Sequence, residues 1–146
     1  MLMSIRPRHV ESILRGEKRV ELRRTRPVIK RGQPVAIYAT TPSAAVVATC
    51  KISAIETSSP SDLWATVKAI CGVTKDEYDA YFADSATAVA LHLTEVSALE
   101  HPVSLRHLRE AGPFTPPQTW HFIDGMRLTG MLADHPAASR LQAMIS

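Results

Sequence analysis

The chain has 146 residues, 45% of them hydrophobic and 21% charged, with a formal net charge of +3. That is the size and make-up of one ordinary globular domain, which buries enough surface to need no disulfide or metal staple. No apolar run approaches the roughly 20 residues of a membrane span, and Met1-Leu2-Met3-Ser4 leads straight into charge without the apolar core of a secretory signal.

The positive charge is concentrated at the start. Residues 1–31 hold ten of the 17 Lys and Arg but three of the 14 Asp and Glu, a local charge of +7 against −4 for the other 115 residues. A patch of this kind implies an anionic partner more strongly than a diffuse net charge does.

Pro7 suits the first turn of a helix, where its missing N–H costs nothing. Val10, Ile13 and Leu14 then share one apolar face, and Gly16 is a natural left-handed stop. From Lys18 to Arg24 the pattern alternates. Val20 and Leu22 point one way and Arg19, Glu21 and Arg23 the other, which predicts a half-buried strand.

Residues 34–40 and 44–55 read as further strands, the second long enough to bend or bulge. Ser61 is expected to cap a helix over 62–71, with Leu63, Val67 and Ile70 on its inner face and Gly72 as its stop. Thr74 and Glu77 form a capping box for a helix reaching Phe82. Residues 87–96 are a strand and 104–110 a short helix. His135-Pro136 is expected to cap a last weak helix over 137–145. Trp64, Tyr78, Tyr81 and Phe82 recur at helical spacing and read as core.

Short strands joined by loops, with one helix before the first strand and a helical excursion inside the series, predict an α+β fold. The architecture expected is a small mixed or antiparallel β-barrel with flanking helices. Cys50 and Cys71 are expected as buried thiols in a reducing compartment, hence a cytoplasmic protein. The six histidines follow no metal-ligand spacing, and no phosphate-cradling glycine loop or nucleophile elbow occurs. Neither a metal nor a cofactor is expected.

Gly16-Glu17-Lys18-Arg19-Val20-Glu21-Leu22-Arg23, with Ile37 to Pro42 and the Val46-Val47-Ala48 strand, resembles the ASCH family (ASC-1 homology domains) of the PUA-like superfamily. The resemblance covers residues 3–124. It implies residues 1–124 as the domain and 125–146 as a helical extension packed on the domain or on a partner, the oligomeric state being left open. It also implies a PUA-like barrel with a cleft that binds RNA or another nucleic acid or nucleotide. One bacterial branch of the family removes acetyl from N4-acetylcytidine with a Lys, a Thr and a Glu, and other members are ribonucleases. Lys18 matches that lysine, Glu21 stands where the threonine would be, and Asp76, Glu77 and Asp79 are alternatives for the glutamate.

Two readings follow. In the first, Arg6, Arg8, Lys18, Arg19, Glu21, Arg23, Arg24, Arg26 and Tyr38 bind a single-stranded or modified nucleotide. Arginines hold the phosphates, and Tyr38 is either a stacking platform or core. In the second, the protein is a nucleic-acid-processing hydrolase, of the amidohydrolase or ribonuclease kind, with Lys18 and Glu21 catalytic. Lys18 meets Glu21 only if it sits in the turn after Gly16 or at a bulge, since a regular strand puts them on opposite faces.

Overall fold

A computed structural model describes residues 1–144. The strands are β1 (Leu2–Ile5), β2 (Val20–Arg23), β3 (Gln33–Ala39), β4 (Ala45–Ser58), β5 (Ala88–Ser104) and β6 (Trp120–His121). The helices are α1 (Pro7–Leu14), α2 (Pro60–Val67), α3 (Lys75–Tyr81), α4 (Leu105–Glu110), α5 (Gly125–Met131) and α6 (Ala138–Ala143). The six strands form one mixed sheet in the order β2-β5-β4-β3-β1-β6, curled into a half-barrel. Only β1 and β3 run parallel. The α+β barrel expected from the sequence is therefore present, left open between β2 and β6. Among the described residues no helix is long and apolar enough to cross a membrane.

The two long strands carry the curl. The β4–β5 register shifts at three places, between Val46 and Ala48, Thr49 and Lys51, and Ile52 and Ala54. Each extra residue bends the ladder and raises its twist. β5 runs eight residues past the expected end at Val96 because the first half of β4 supplies partners for it, pairing Ala45 with Ser104 and Val46 with Val103. β1 is too short to show a period in sequence, yet all four of its residues are buried between β3 and β6.

Three apolar clusters hold the fold. Val10 and Ile13 of α1 pack with Met3, Val35, Ile37, Cys50, Ile52 and Leu91 inside the half-barrel. Leu14, expected on the same helix face, is 42% exposed. On the other face of the sheet α2 and α3 cover Val20, Leu22 and Ala90 with Leu63, Val67, Tyr78 and Phe82. Tyr78 sits 4.8 Å from both Trp64 and Phe82, so the aromatic series is core. The third cluster joins Leu2, Tyr38 and Val46 to Leu108, Leu132 and Leu141, which folds the segment after residue 124 back onto the domain. A cavity of about 420 Å³ remains there, between the sheet and α4 to α6.

Two helix starts differ from expectation. α2 is capped by Ser59, whose side chain accepts from the Asp62 N–H, with Pro60 in the first turn; Ser61 is inside the helix. The last helix starts at Ala138 without a side-chain cap, and Ile145, the end expected for it, lies outside the described residues. The Thr74–Glu77 capping box of α3 is present as expected.

Candidate active site

The placement of Lys18 begins with the end of α1. The Gly16 N–H donates to Ile13 O and the Glu17 N–H to Ser12 O, a Schellman closure with Gly16 at φ +79°. Lys18 N–H also donates to Ser12 O, and Arg19 N–H donates to Ile70 O at 2.7 Å. The chain is thus fixed before β2 begins at Val20. Lys18 sits in this turn, which frees it from strand alternation and lets it approach Glu21.

The Lys18 side chain is only 1% exposed. Its Nζ donates to Cys71 O at 2.6 Å and stands 3.9 Å from Glu21 Oε1. Burial pushes the Lys18 pKa down, and the Glu21 carboxylate partly opposes that shift. Gly72 and Cys71, read from sequence as a helix stop and a core thiol, form the wall against which the lysine lies.

β2 is not half-buried. Val20 and Leu22 face the α2–α3 layer, and Glu21 and Arg23 are buried on the opposite side. Two charged residues tolerate this because each neutralises the other. Arg23 Nη1 lies 3.1 Å from Glu21 Oε1 and also donates to Leu22 O, while Nη2 donates to Ser4 O at 3.1 Å. Glu21 Oε1 also accepts from the Leu22 N–H. Glu21 Oε2 and Arg23 Nε make no hydrogen bond within the described residues, which leaves one acceptor and one donor open in the centre. Glu21 also raises the buried Cys50 thiol, whose pKa is pushed up to about 12, chiefly by desolvation.

α1 adds a residue that sequence reasoning passed over. His9 is half-buried, and the charges of Lys18, Glu21, Arg8 and Glu77 all reach it. Burial first, and then Lys18, lower its pKa below the ordinary histidine value, so it is neutral at pH 7. Its position one residue before Val10 put it on the flank of the buried helix face. That was the available signal, but six scattered histidines concealed it. Beside it Arg8 pairs with Glu77 of α3. That pairing, with the bond from Thr74, holds the Glu77 carboxyl down to about 2. Glu77 is thus tied to α1 through Arg8, whereas Asp79 pairs with Lys75.

The other arginines separate. Arg6 is exposed at the start of α1. Arg19 Nε donates to Gly16 O on the outer side of the turn. Arg24 donates to Tyr81 O and lies 4.3 Å over the Tyr81 ring. Arg26 turns the other way, with Nη1 on Thr57 Oγ1 at 2.8 Å. Tyr38 does not join the centre. It is 3% exposed in the third cluster, so its ring offers no open face to a base.

Residues 3–113 match the model of a domain of unknown function, DUF365. The chain is 30% identical over 122 residues, 82% of each chain, to an ASCH domain-containing ribonuclease of Zymomonas mobilis. The crystal structure of an ASCH protein from Zymomonas mobilis superposes with a TM-score of 0.83 at 25% identity, covering 91% of this chain and 93% of that one. A hypothetical protein, PH0355, shares the fold at a TM-score of 0.50 and 16% identity, over 67% of this chain and 97% of its own.

Proposed function

Because this chain belongs to the ASCH domain family, we propose that it binds single-stranded RNA and cleaves it at the Lys18–Glu21 centre. A relative matched over 82% of the chain is an ASCH domain-containing ribonuclease, which favours cleavage over binding alone. The observation that carries the reading is the convergence of a neutral histidine, a buried lysine and a buried carboxylate–guanidinium pair from α1, the turn and β2.

Cleavage of RNA by its own 2′-hydroxyl requires a base, a cation at the phosphoryl oxygens and a proton for the leaving oxygen. His9, neutral at pH 7, takes the 2′-hydroxyl proton. O2′ attacks phosphorus and the P–O5′ bond breaks. Lys18, held in the cleft wall against Cys71 O, supplies positive charge beneath the phosphoryl oxygens, and a water gives the departing O5′ its proton. Glu21 and Arg23 position the lysine. Glu21 stands where the amidohydrolases carry a threonine, and that departure from their pattern argues against the amidohydrolase reading.

A binding-only role has one observation in its favour, the 1% exposure of the Lys18 side chain, which suits an anchor of the cleft wall. The deciding experiment incubates end-labelled single-stranded RNA with the protein, with Lys18→Met and with His9→Asn, and resolves the products on a denaturing gel. Cleavage that falls by about 100-fold or more in both variants is expected. RNA binding with product formation equal in all three proteins overturns the cleavage reading, and absence of RNA binding at low salt overturns both.

A further inference from the structure

A second basic feature lies outside the Lys18–Glu21 centre. The loop after β2 carries Arg26, Lys30 and Arg31, all exposed, and they line a groove of about 320 Å³. Its opposite wall is Ser53, Ala54 and Ile55 of β4. Among the described residues none of the three cations lies within ion-pair distance of a carboxylate. Most of the other basic side chains of the N-terminal region are already engaged: Arg8 by Glu77, Arg15 by Glu17, and Lys18 and Arg23 by Glu21.

The groove has a structural origin. β3 stops pairing with β4 at Gln33 and Ile52, while β4 continues to Ser58 with β5 alone on its other side. From Ser53 onward, therefore, one edge of β4 has no strand partner, and backbone polar groups border the three cations. Arg26 is held in place by Thr57 Oγ1. Thr57 pairs with Val89, and Val89 with Arg23, so the residue that holds Arg26 shares a cross-strand row with Arg23, with β5 between them. The same loop leaves Val28 96% exposed, an apolar side chain presented to solvent beside three positive charges.

We infer that this groove is a phosphate-binding track for single-stranded RNA, in which Arg26, Lys30 and Arg31 hold the backbone of nucleotides flanking the one at Lys18. The inference rests on the RNA reading above. The guanidinium and ammonium groups of Arg26, Lys30 and Arg31 match phosphodiester oxygens, and Val28 presents apolar surface on the same loop. Such contacts set affinity and register without reading sequence.

The test uses the whole chain and a fluorescein-labelled RNA of about a dozen nucleotides, with affinity followed by anisotropy across a salt series. Each phosphate contact to a single strand contributes about 0.7 to the slope of log affinity against log salt. The triple variant Arg26→Gln, Lys30→Gln, Arg31→Gln should flatten that slope by about 2, while Lys68→Gln at the end of α2 should leave it unchanged. Wild-type protein that binds RNA with a slope the triple variant retains overturns the track. Equal flattening by Lys68→Gln also overturns it, because the effect would then be one of net charge. Wild-type protein that binds no RNA fails the underlying reading instead.

Discussion

Gly72 and Lys18 occupy one another's space: a Cβ at Gly72 would meet Lys18 Cβ at 3.0 Å and its Cγ and Cδ at 3.2 Å. Gly72 also has φ +68°, a conformation that side chains resist. The glycine that ends the α2 segment is thus part of the lysine's seat. Gly16 has a similar φ of +79° but no atom within 4 Å of such a Cβ. The two glycines separate backbone strain from site geometry. Gly16→Ala should lose about 1–2 kcal/mol of stability and keep RNA cleavage. Gly72→Ala should lose about 1–3 kcal/mol and also lower kcat, because the lysine stem must move from Cys71 O. Thermal unfolding and initial cleavage rates check both, and equal activity loss in the two variants would show that Gly72 plays no part in seating Lys18.

Glu21 is the counter-charge for two buried cations. Glu21→Leu strands both of them, and removing one partner of a buried pair typically costs about 3–5 kcal/mol. Urea denaturation should show that loss. The double variant Glu21→Leu, Arg23→Met should recover part of it, since the stranded guanidinium is then absent as well. A double variant as unstable as the sum of the single ones would mean the two residues act independently.

The helix, the glycine stop and the strand of residues 7–24 were legible because each obeys a local rule, and so was the Thr74–Glu77 box. β2 misleads because alternation distinguishes two faces but not whether the polar one is wet. Its Glu21 and Arg23 read as a solvated face, yet each neutralises the other inside the half-barrel. The part of the centre built by Cys71 and Gly72 is separated from Lys18 by more than 50 residues, and nothing in local sequence signals that contact. Tyr38 illustrates the reverse case. Its place at a strand end left it readable as a stacking platform or as core, and the segment after residue 124, folded over it, makes it core.

Ser59 rather than Ser61 starts α2, and the two serines differ in what they hold. Ser59 Oγ accepts from the Asp62 N–H at 3.3 Å, whereas Ser61 Oγ lies 3.4 Å from Ser59 Oγ and caps no backbone N–H among the described residues. Ser59→Ala should cost about 1 kcal/mol, the usual value of an N-cap. Ser61→Ala, at an exposed position inside the first turn, should stay within about 0.5 kcal/mol. Denaturant midpoints measured side by side decide it, and the reverse order would return the cap to Ser61.

The acid side of the cleavage profile should belong to His9, and its two charged neighbours should move it in opposite directions. The folded pKa of His9 lies below 6.5, so the base is unprotonated at neutral pH and activity falls only as pH drops through that lowered value. Arg8 lowers the His9 pKa and Glu77 raises it. Arg8→Gln removes a cation and leaves Glu77 unpaired, so the acid limb should shift to higher pH. Glu77→Gln removes the carboxylate and leaves Arg8 unpaired, so the limb should shift to lower pH. Glu77 itself, held down to about 2 by Arg8, stays ionised across this window and cannot be the titrating group. Its own effect on stability appears lower, present above about 4.5 and lost as pH falls toward 2. The check is kcat/KM for RNA cleavage against pH in the three proteins. Limbs that coincide, or that move the same way in both variants, would remove His9 from the role of base.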